Sequence, residues 1–329
     1  MNAPAKRREA DKPFLSVIIC SHNPRESYLS QTLHSLEAQT LDRSRWELLV
    51  VDNASNVSLA SRWTLKWHAN ARHVHEEVLG LTPARLRGIA EAAGEWLLFV
   101  DDDNVLVPSY LERCVELALS NPCVAVLGAG KLIPEFEVPP PAELMPLTSM
   151  LALRQIPEAL WTNNCADVHC IAWGAGLAVR KDIAVTYREL VRQLATAGVL
   201  DRRGQQLFCG GDDLFSWCAA AEGFGFGIYP ELEITHLIGA GRLTRPYFLR
   251  LVHDHAFSHG VLRYLLFGRQ PEPLSAWSVP RTALHGLRHG GFSSQLRWRR
   301  LMGEAAAARF IADQNLRPLS GRIFPRAPR

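Results

Sequence analysis

A chain of 329 residues with 47% hydrophobic content is long enough for one large or two ordinary domains and apolar enough to bury a sizeable core. Its 36 basic and 33 acidic residues leave a net charge of only +3, which excludes a wholesale polyanion binder and removes nucleic acid as the default partner. Seven cysteines at irregular spacings fit free thiols in a reducing compartment better than a disulfide framework.

Residues 1–13 open the chain with charged and small side chains, read as a disordered segment without the apolar core of a signal peptide. No window approaches the roughly 18 uninterrupted apolar residues of a membrane span, so the expected location is cytoplasmic or peripheral at the inner face of the plasma membrane. From residue 14 short β-rich runs alternate with helical patterns. Residues 14–20 form an apolar strand, and 26–39 place Leu29, Leu33 and Leu36 on one helical face. Strands follow at 46–51 and 72–75, then a helix over 83–93 with Pro83 in its first turn, then a strand over 95–100. Strands joined by crossover helices predict an α/β fold with a doubly wound, mostly parallel sheet and a ligand at the C-terminal strand ends.

Those strand ends carry the polar residues. Ser21-His22-Asn23-Pro24-Arg25 follows the first strand, Asp52-Asn53-Ala54-Ser55 the second, and Asp101-Asp102-Asp103 the run Trp96-Leu97-Leu98-Phe99-Val100. Each segment alone reads as turn chemistry. Three in register, one with clustered carboxylates, mark a point where a hard divalent cation on a diphosphate can sit.

The order and spacing of several segments resemble the inverting glycosyltransferases of family 2, which have the GT-A fold. These are Ser16-Val17-Ile18-Ile19-Cys20-Ser21-His22-Asn23-Pro24, Val50-Val51-Asp52-Asn53-Ala54-Ser55, the run 80–89 and the run 94–103. Further on, Trp173-Gly174-Ala175-Gly176 and Gly210-Gly211-Asp212-Asp213 occupy the places of the family's acceptor-side glycine turn and its acidic catalytic motif. The resemblance covers residues 14–260 and implies a nucleotide diphosphate sugar donor with a carbohydrate or lipid-linked glycan acceptor. It implies that Asp52 accepts from the nucleobase, that Ser21, Asn23, Asp101 and Asp102 approach the nucleoside and sugar, and that Arg85 sits near the phosphates. Asp103, with Asp101 beside it, would ligate Mg²⁺ or Mn²⁺. Leu86 stands where the family has asparagine, and Arg87 is a candidate substitute. Asp213 is the implied general base, and Asp212 replaces the family's more common glutamate. A helix N-cap pair is the structural alternative for these two aspartates. His236, in a region where similar enzymes hold a histidine, is a third donor to the metal or phosphate.

The remaining features are weaker. His255 and His259 share a helix face without a third zinc ligand, and Cys165, His169, Cys170 and Cys209 lack the paired spacing of a zinc knuckle. Residues 131–170 read as a lid or acceptor wall in which Trp161, with Trp173 beyond it, offers a ring for sugar stacking. Residues 14–244 are expected to form the GT-A domain and 245–329 a helical region with a basic tail. There Leu296, Trp298, Leu301 and Met302 interleave with arginines, a pattern that serves a solvated helix, a dimer contact or an anionic bilayer. Gln295-Leu296-Arg297-Trp298 is one residue short of the QxxRW motif of processive synthases. Two rivals are a nucleotidyltransferase, which calls for a glycine-rich loop where Ser21-His22-Asn23-Pro24 stands, and a noncatalytic nucleotide-sugar binder.

Overall fold

The computed structural model describes residues 12–165, 167–193 and 210–318; the first eleven residues, Cys209 and the end of the basic tail lie outside them. The chain divides into two compact units. The first takes residues up to 135 with 152–193 and 215–237, and the second takes 136–151, 210–214 and 238–318 of the described chain.

The first unit is built on a mixed sheet. Its elements in chain order are β1 (Leu15–Ser21), α1 (Glu26–Glu37), β2 (Trp46–Asn53), β3 (Ala71–Glu76), α2 (Leu81–Glu91), β4 (Trp96–Val100), β5 (Asn104–Leu106), α3 (Tyr110–Ser120) and β6 (Val124–Phe136). After these come β7 (Arg154–Gln155), β8 (Leu160–Thr162), β9 (Leu177–Arg180), α4 (Lys181–Gln193), α5 (Asp213–Ala221) and β10 (Gly225–Ile238). Strand order is β3-β2-β1-β4-β9-β6-β10-β5, with β7 on β6 and β8 on β10. The β3-β2-β1-β4 half is parallel. Beyond β4 the sheet takes antiparallel strands, β9 on β4 and β6 on β9.

β1, β2 and β4 are largely apolar and buried because they lie inside the sheet with helices over their faces, whereas the edge strand β3 is mostly polar. Leu15, Val17 and Ile19 join Leu29, Leu33 and Leu36 of α1 in one cluster. Ile18, on the opposite pleat, meets α2 so closely that a Cβ at Gly88 would lie 2.6 Å from its Cγ2. On α4 and α5, Tyr187 stacks on Phe215 at 3.8 Å, and Phe215 meets Phe99 of β4 at 5.3 Å. Each such buried ring contributes about 1.5–3 kcal/mol by area alone.

At the N-terminal end of these strands a buried carboxylate sets the register. Glu47 Oε1 accepts from Ser16 Oγ at 2.7 Å and from the Ala93 N–H at 2.6 Å, while Oε2 accepts from Arg72 Nη1 at 2.8 Å. The Gly94 N–H donates to Ser16 Oγ, and a Cβ on Gly94 would collide with the Ser16 backbone at 2.7 Å.

The second unit is helical, with α6 (Arg245–Phe267), α7 (Ser278–His289) and α8 (Gly291–Asp313). Thr244 caps α6, its Oγ1 accepting from the Tyr247 N–H, and Gly268 closes the helix in the left-handed conformation. Where α8 crosses α6 a Cβ at Gly303 would lie 2.3 Å from the His253 carbonyl oxygen, so the two backbones touch. Leu296, Trp298, Leu301 and Met302 of α8 are half-buried.

His68 makes the first unit acid-sensitive. Buried against Trp46, with ring centroids 4.1 Å apart, it is pushed down to about 4, chiefly by burial and then by the Arg43 charge. The unfolded chain therefore takes a proton near pH 6.5 that the folded one refuses until about pH 4. Stability is full above that window and falls as pH drops through it, by roughly 3 kcal/mol at most. Urea unfolding between pH 7 and 4 should show this slope, and His68→Gln should flatten it; an unchanged slope in the variant would place the acid sensitivity elsewhere.

Candidate active site

The register set by Glu47 brings the C-terminal strand ends level. Ser21 pairs with Asp52, and Ile19 pairs with Val100, so two residues further along Ser21 stands beside Asp102. Ser21 Oγ donates to Asp102 Oδ2 at 2.5 Å, a charge-assisted bond that ties the first loop to the acidic run.

The loop after β2 is organised from within. Asp52 is buried at 4% exposure, with Oδ1 accepting from the Ser55 N–H at 3.1 Å and Oδ2 from the Leu59 N–H at 2.9 Å. The residue expected to meet a nucleobase thus also shapes the loop beneath it. Asn23 holds a left-handed backbone, φ 48°, and bridges the two loops: its N–H donates to Ser55 Oγ and its Oδ1 accepts from the Asn56 N–H. His22 Nδ1 lies 2.7 Å from the Asn53 carbonyl oxygen.

Asn53 is the residue that sequence reasoning passed over. Its Oδ1 accepts from the Gly80 N–H at 2.8 Å, and its Nδ2 donates to the carbonyls of Val78 at 2.7 Å and Glu76 at 3.3 Å. One side chain therefore ties down the segment leading into α2, whose buried Arg85 was expected near the phosphates. Gly80, at φ 144°, occupies a conformation that other residues rarely adopt. The signal was present in the run Asp52-Asn53-Ala54-Ser55, where Asn53 reads as turn chemistry.

The three aspartates are half-buried behind β4. Asn104, fully buried, turns the chain: its N–H donates to the Asp101 carbonyl at 3.1 Å, and its Nδ2 donates to Asp103 Oδ1 at 3.1 Å. β5 then pairs antiparallel with β10, setting His236 opposite Asn104. His236 Nε2 lies 3.4 Å from Asp103 Oδ2, and the Leu237 N–H donates to the Asp103 carbonyl at 2.8 Å. The histidine and the aspartate expected to share a cation are thus neighbours.

No group of three or more His, Cys, Asp or Glu side chains among the described residues converges to cage a metal. A pair of protein ligands nonetheless suits Mg²⁺ or Mn²⁺, because such ions keep waters and are completed by substrate phosphates. The donor set fits.

The 173–176 turn is mostly packing. Ala175 lies in the hydrophobic core, and Gly176, at φ 72°, leaves space that a Cβ would share with Tyr110 Oη and Ile234 Cδ1, each 2.3 Å away. Tyr110 Oη donates to the Gly176 carbonyl at 2.7 Å. Gly174 is buried beside Trp173, and the Arg154 guanidinium covers one face of the Trp173 ring at 3.3 Å. Trp161 is 58% exposed on β8.

Asp213 and Leu214, the first residues of α5, fall in the second unit; Asp213 is buried, with Asp212 before it. Gly210, at φ 97°, seats this acidic turn directly on α6: a Cβ there would lie 2.3 Å from Leu262 Cδ1. Leu262, His259 and His255 share one face of α6 by their i, i+4, i+7 spacing. The two histidine rings are 4.2 Å apart, and both feel the Asp212 charge. His259 is pushed down to about 3, first by burial and then by His255 and Arg263, and His255 is lowered in the same direction although its side chain is exposed. Spacing alone had left these histidines without a partner.

The architecture is the GT-A fold. It resembles the mannosyltransferase PcManGT from Pyrobaculum calidifontis, solved in complex with GDP-Man and Mn²⁺, with TM-score 0.50 and 19% identity over 92% of this chain and 76% of that one. By sequence, residues 16–174 match Glycosyl transferase family 2, and this segment of the chain belongs to that family. The glycosyltransferase AglE of Haloferax volcanii is 27% identical over 189 residues, 56% of this chain and 59% of the relative. Polypeptide N-acetylgalactosaminyltransferase 5 of Caenorhabditis elegans is 31% identical over 119 residues, 35% of this chain and 19% of the relative. The chain thus spans less than two thirds of these relatives' length.

Removing the Asn53 amide should release the segment it holds. Asn53→Ala leaves the Gly80 N–H without its acceptor, at a cost of about 1–3 kcal/mol, and hydrogen exchange at residues 76–84 should accelerate while β1 and β4 stay protected. Unchanged exchange there would mean that the segment is held by other contacts.

Proposed function

We propose that the chain is a metal-assisted, inverting glycosyltransferase that moves a sugar from a nucleotide diphosphate donor to a hydroxyl of a carbohydrate or lipid-linked glycan acceptor in polysaccharide or glycoconjugate synthesis. The observation that carries this reading is the levelled set of strand ends, Ser21–Asp102, Asp52 and Asp103–His236, within a family 2 domain. In this reading the Asp52 and Asn23 loops receive the nucleoside, and Arg85 and the Asp101–Asp103 run receive the diphosphate. Asp103 and His236 would hold Mg²⁺ or Mn²⁺. A bound ion of that kind neutralises charge building on the leaving diphosphate.

Asp213 would take the acceptor hydroxyl proton as the oxygen attacks the anomeric carbon from the face opposite the leaving group. Its burial and its place at a helix N-terminus support this role, since the helix N–H groups favour the ionised carboxylate that a base requires. The Trp173–Gly176 turn would lie on the acceptor side. His255 and His259 near Asp212 are suited to hydrogen-bond hydroxyl groups, because an imidazole ring offers both a donor and an acceptor.

Two measurements test the reading. Calorimetry with UDP, GDP and dTDP should find that Asp103→Ala weakens binding in Mn²⁺ far more than in EDTA; equal affinity with and without metal for every nucleotide would remove the ion from the scheme. Asp213→Asn keeps shape while losing basicity, so turnover should fall by about 10²–10⁴ with donor affinity nearly unchanged. NMR of the product should show inversion at the anomeric carbon. Retention would overturn the single-displacement mechanism, and a fully active Asp213→Asn would transfer the role to another group, Asp212 first.

A further inference from the structure

Helix α7 is built with its faces reversed. The residues it buries are Ser278 and Thr282, with His285 and Gly286 half-buried. This small, polar side is the one fixed to α8: Ser294 Oγ donates to the Thr282 carbonyl at 2.9 Å, His285 Nε2 lies 2.9 Å from Ser293 Oγ, and a Cβ at Gly286 would stand 3.0 Å from the Ser294 Cβ. The apolar side faces outward. Leu287 is 86% exposed, Trp277 67%, Val279 63% and Leu284 48%. At 100° per residue, Val279, Ala283, Leu284 and Leu287 with the preceding Trp277 fall on one continuous arc, and exposed Arg281 and Arg288 border it. Rotating the helix to hide this arc would break its contacts with α8.

The charge around the arc indicates what covers it. From Pro273 to Gly303 there is no carboxylate, while Arg281, Arg288, Arg297, Arg299 and Arg300 all lie in this stretch. A second copy meeting this face across a twofold axis would set Arg281 and Arg288 against their own equivalents. An anionic bilayer meets both demands, since its acyl boundary receives the apolar arc and its headgroups the arginines. A tryptophan at the edge of such an arc suits the headgroup level. No helix of the described residues is long and apolar enough to cross a membrane, so the contact is one of lying on the surface.

We infer that the outward face of α7, from Trp277 to Leu287 with its bordering Arg281 and Arg288, docks on an anionic lipid bilayer. The site is α7, not the Leu296–Met302 stretch of α8, whose apolar residues are half-buried. The inference does not depend on the proposed chemistry.

Co-sedimentation of the full chain with vesicles tests it. Binding is expected to phosphatidylcholine vesicles containing phosphatidylglycerol, and to be at least about tenfold weaker to phosphatidylcholine alone. Combined Trp277→Ser and Leu287→Ser should lower binding about tenfold or more. Combined Arg281→Gln and Arg288→Gln should lower it several-fold and reduce its salt sensitivity. All four residues are exposed, so folding is not at stake. Failure of the wild-type chain to bind phosphatidylglycerol vesicles at low salt overturns the inference, as does full binding by the Trp277→Ser, Leu287→Ser variant. A dimer in sedimentation velocity that this variant abolishes, without vesicle binding, assigns the face to a second copy instead.

Discussion

One buried carboxylate holds the first unit in register. Glu47 receives donors from β1, from β3 and from the turn between α2 and β4, so three segments distant in sequence are tied to one point of β2. Ser16 and Glu47 are register partners, and five residues on, about 16 Å away, Ser21 and Asp52 are partners too. A strand slipped by one residue would turn its core side chains to the wrong face and strip this carboxylate of its donors. Losing Glu47 would leave the Ala93 N–H without its acceptor, at a cost of about 1–3 kcal/mol, while Arg72 would keep its contacts with Glu91. The strand-end residues themselves make little of this; they inherit their positions from the opposite end of the sheet.

Polar side chains divide the labour in a similar way near the ligand end. Asp52 and Asn53 spend their hydrogen-bonding capacity on backbone, and Asn104 turns Asp103 toward His236. Each thereby fixes the loop that presents the next. In the second unit steric closeness does comparable work: Gly210 on Leu262 seats the acidic turn, and Gly303 on His253 seats α8.

The parallel half of the fold was legible because its signals are local. Apolar runs at 14–20, 46–51 and 95–100 became β1, β2 and β4, and the helical spacing of Leu29, Leu33 and Leu36 became the core face of α1. The helix expected over 83–93 runs from Leu81 to Glu91, because Gly80 marks its start ahead of Pro83. The antiparallel half was not legible. β10 contains Pro230 and two glutamates, and its identity as a strand comes from partners far away in the chain, β5 and β8 among them. His236 could be singled out only through resemblance, since its proximity to Asp103 depends on that pairing. In the C-terminal region the sequence pattern drew attention to Leu296, Trp298, Leu301 and Met302, which the structure half-buries, whereas no local pattern announces that α7 turns its polar face inward.

The loop after β2 also carries a cost that its composition conceals. Ala54 sits at φ 53° there, and Asn23, in the loop after β1, at φ 48°. Asparagine tolerates this conformation, but alanine there gives up roughly 1–2 kcal/mol that glycine would not. The segment is therefore under tension at rest, held in shape by Asp52 and its neighbours. Relaxing it with glycine would make the folded protein more robust to heat while enlarging the ensemble of shapes the empty loop explores. A search for thermostable variants would be drawn to position 54 early, and would find there a gain in endurance set against readiness to bind.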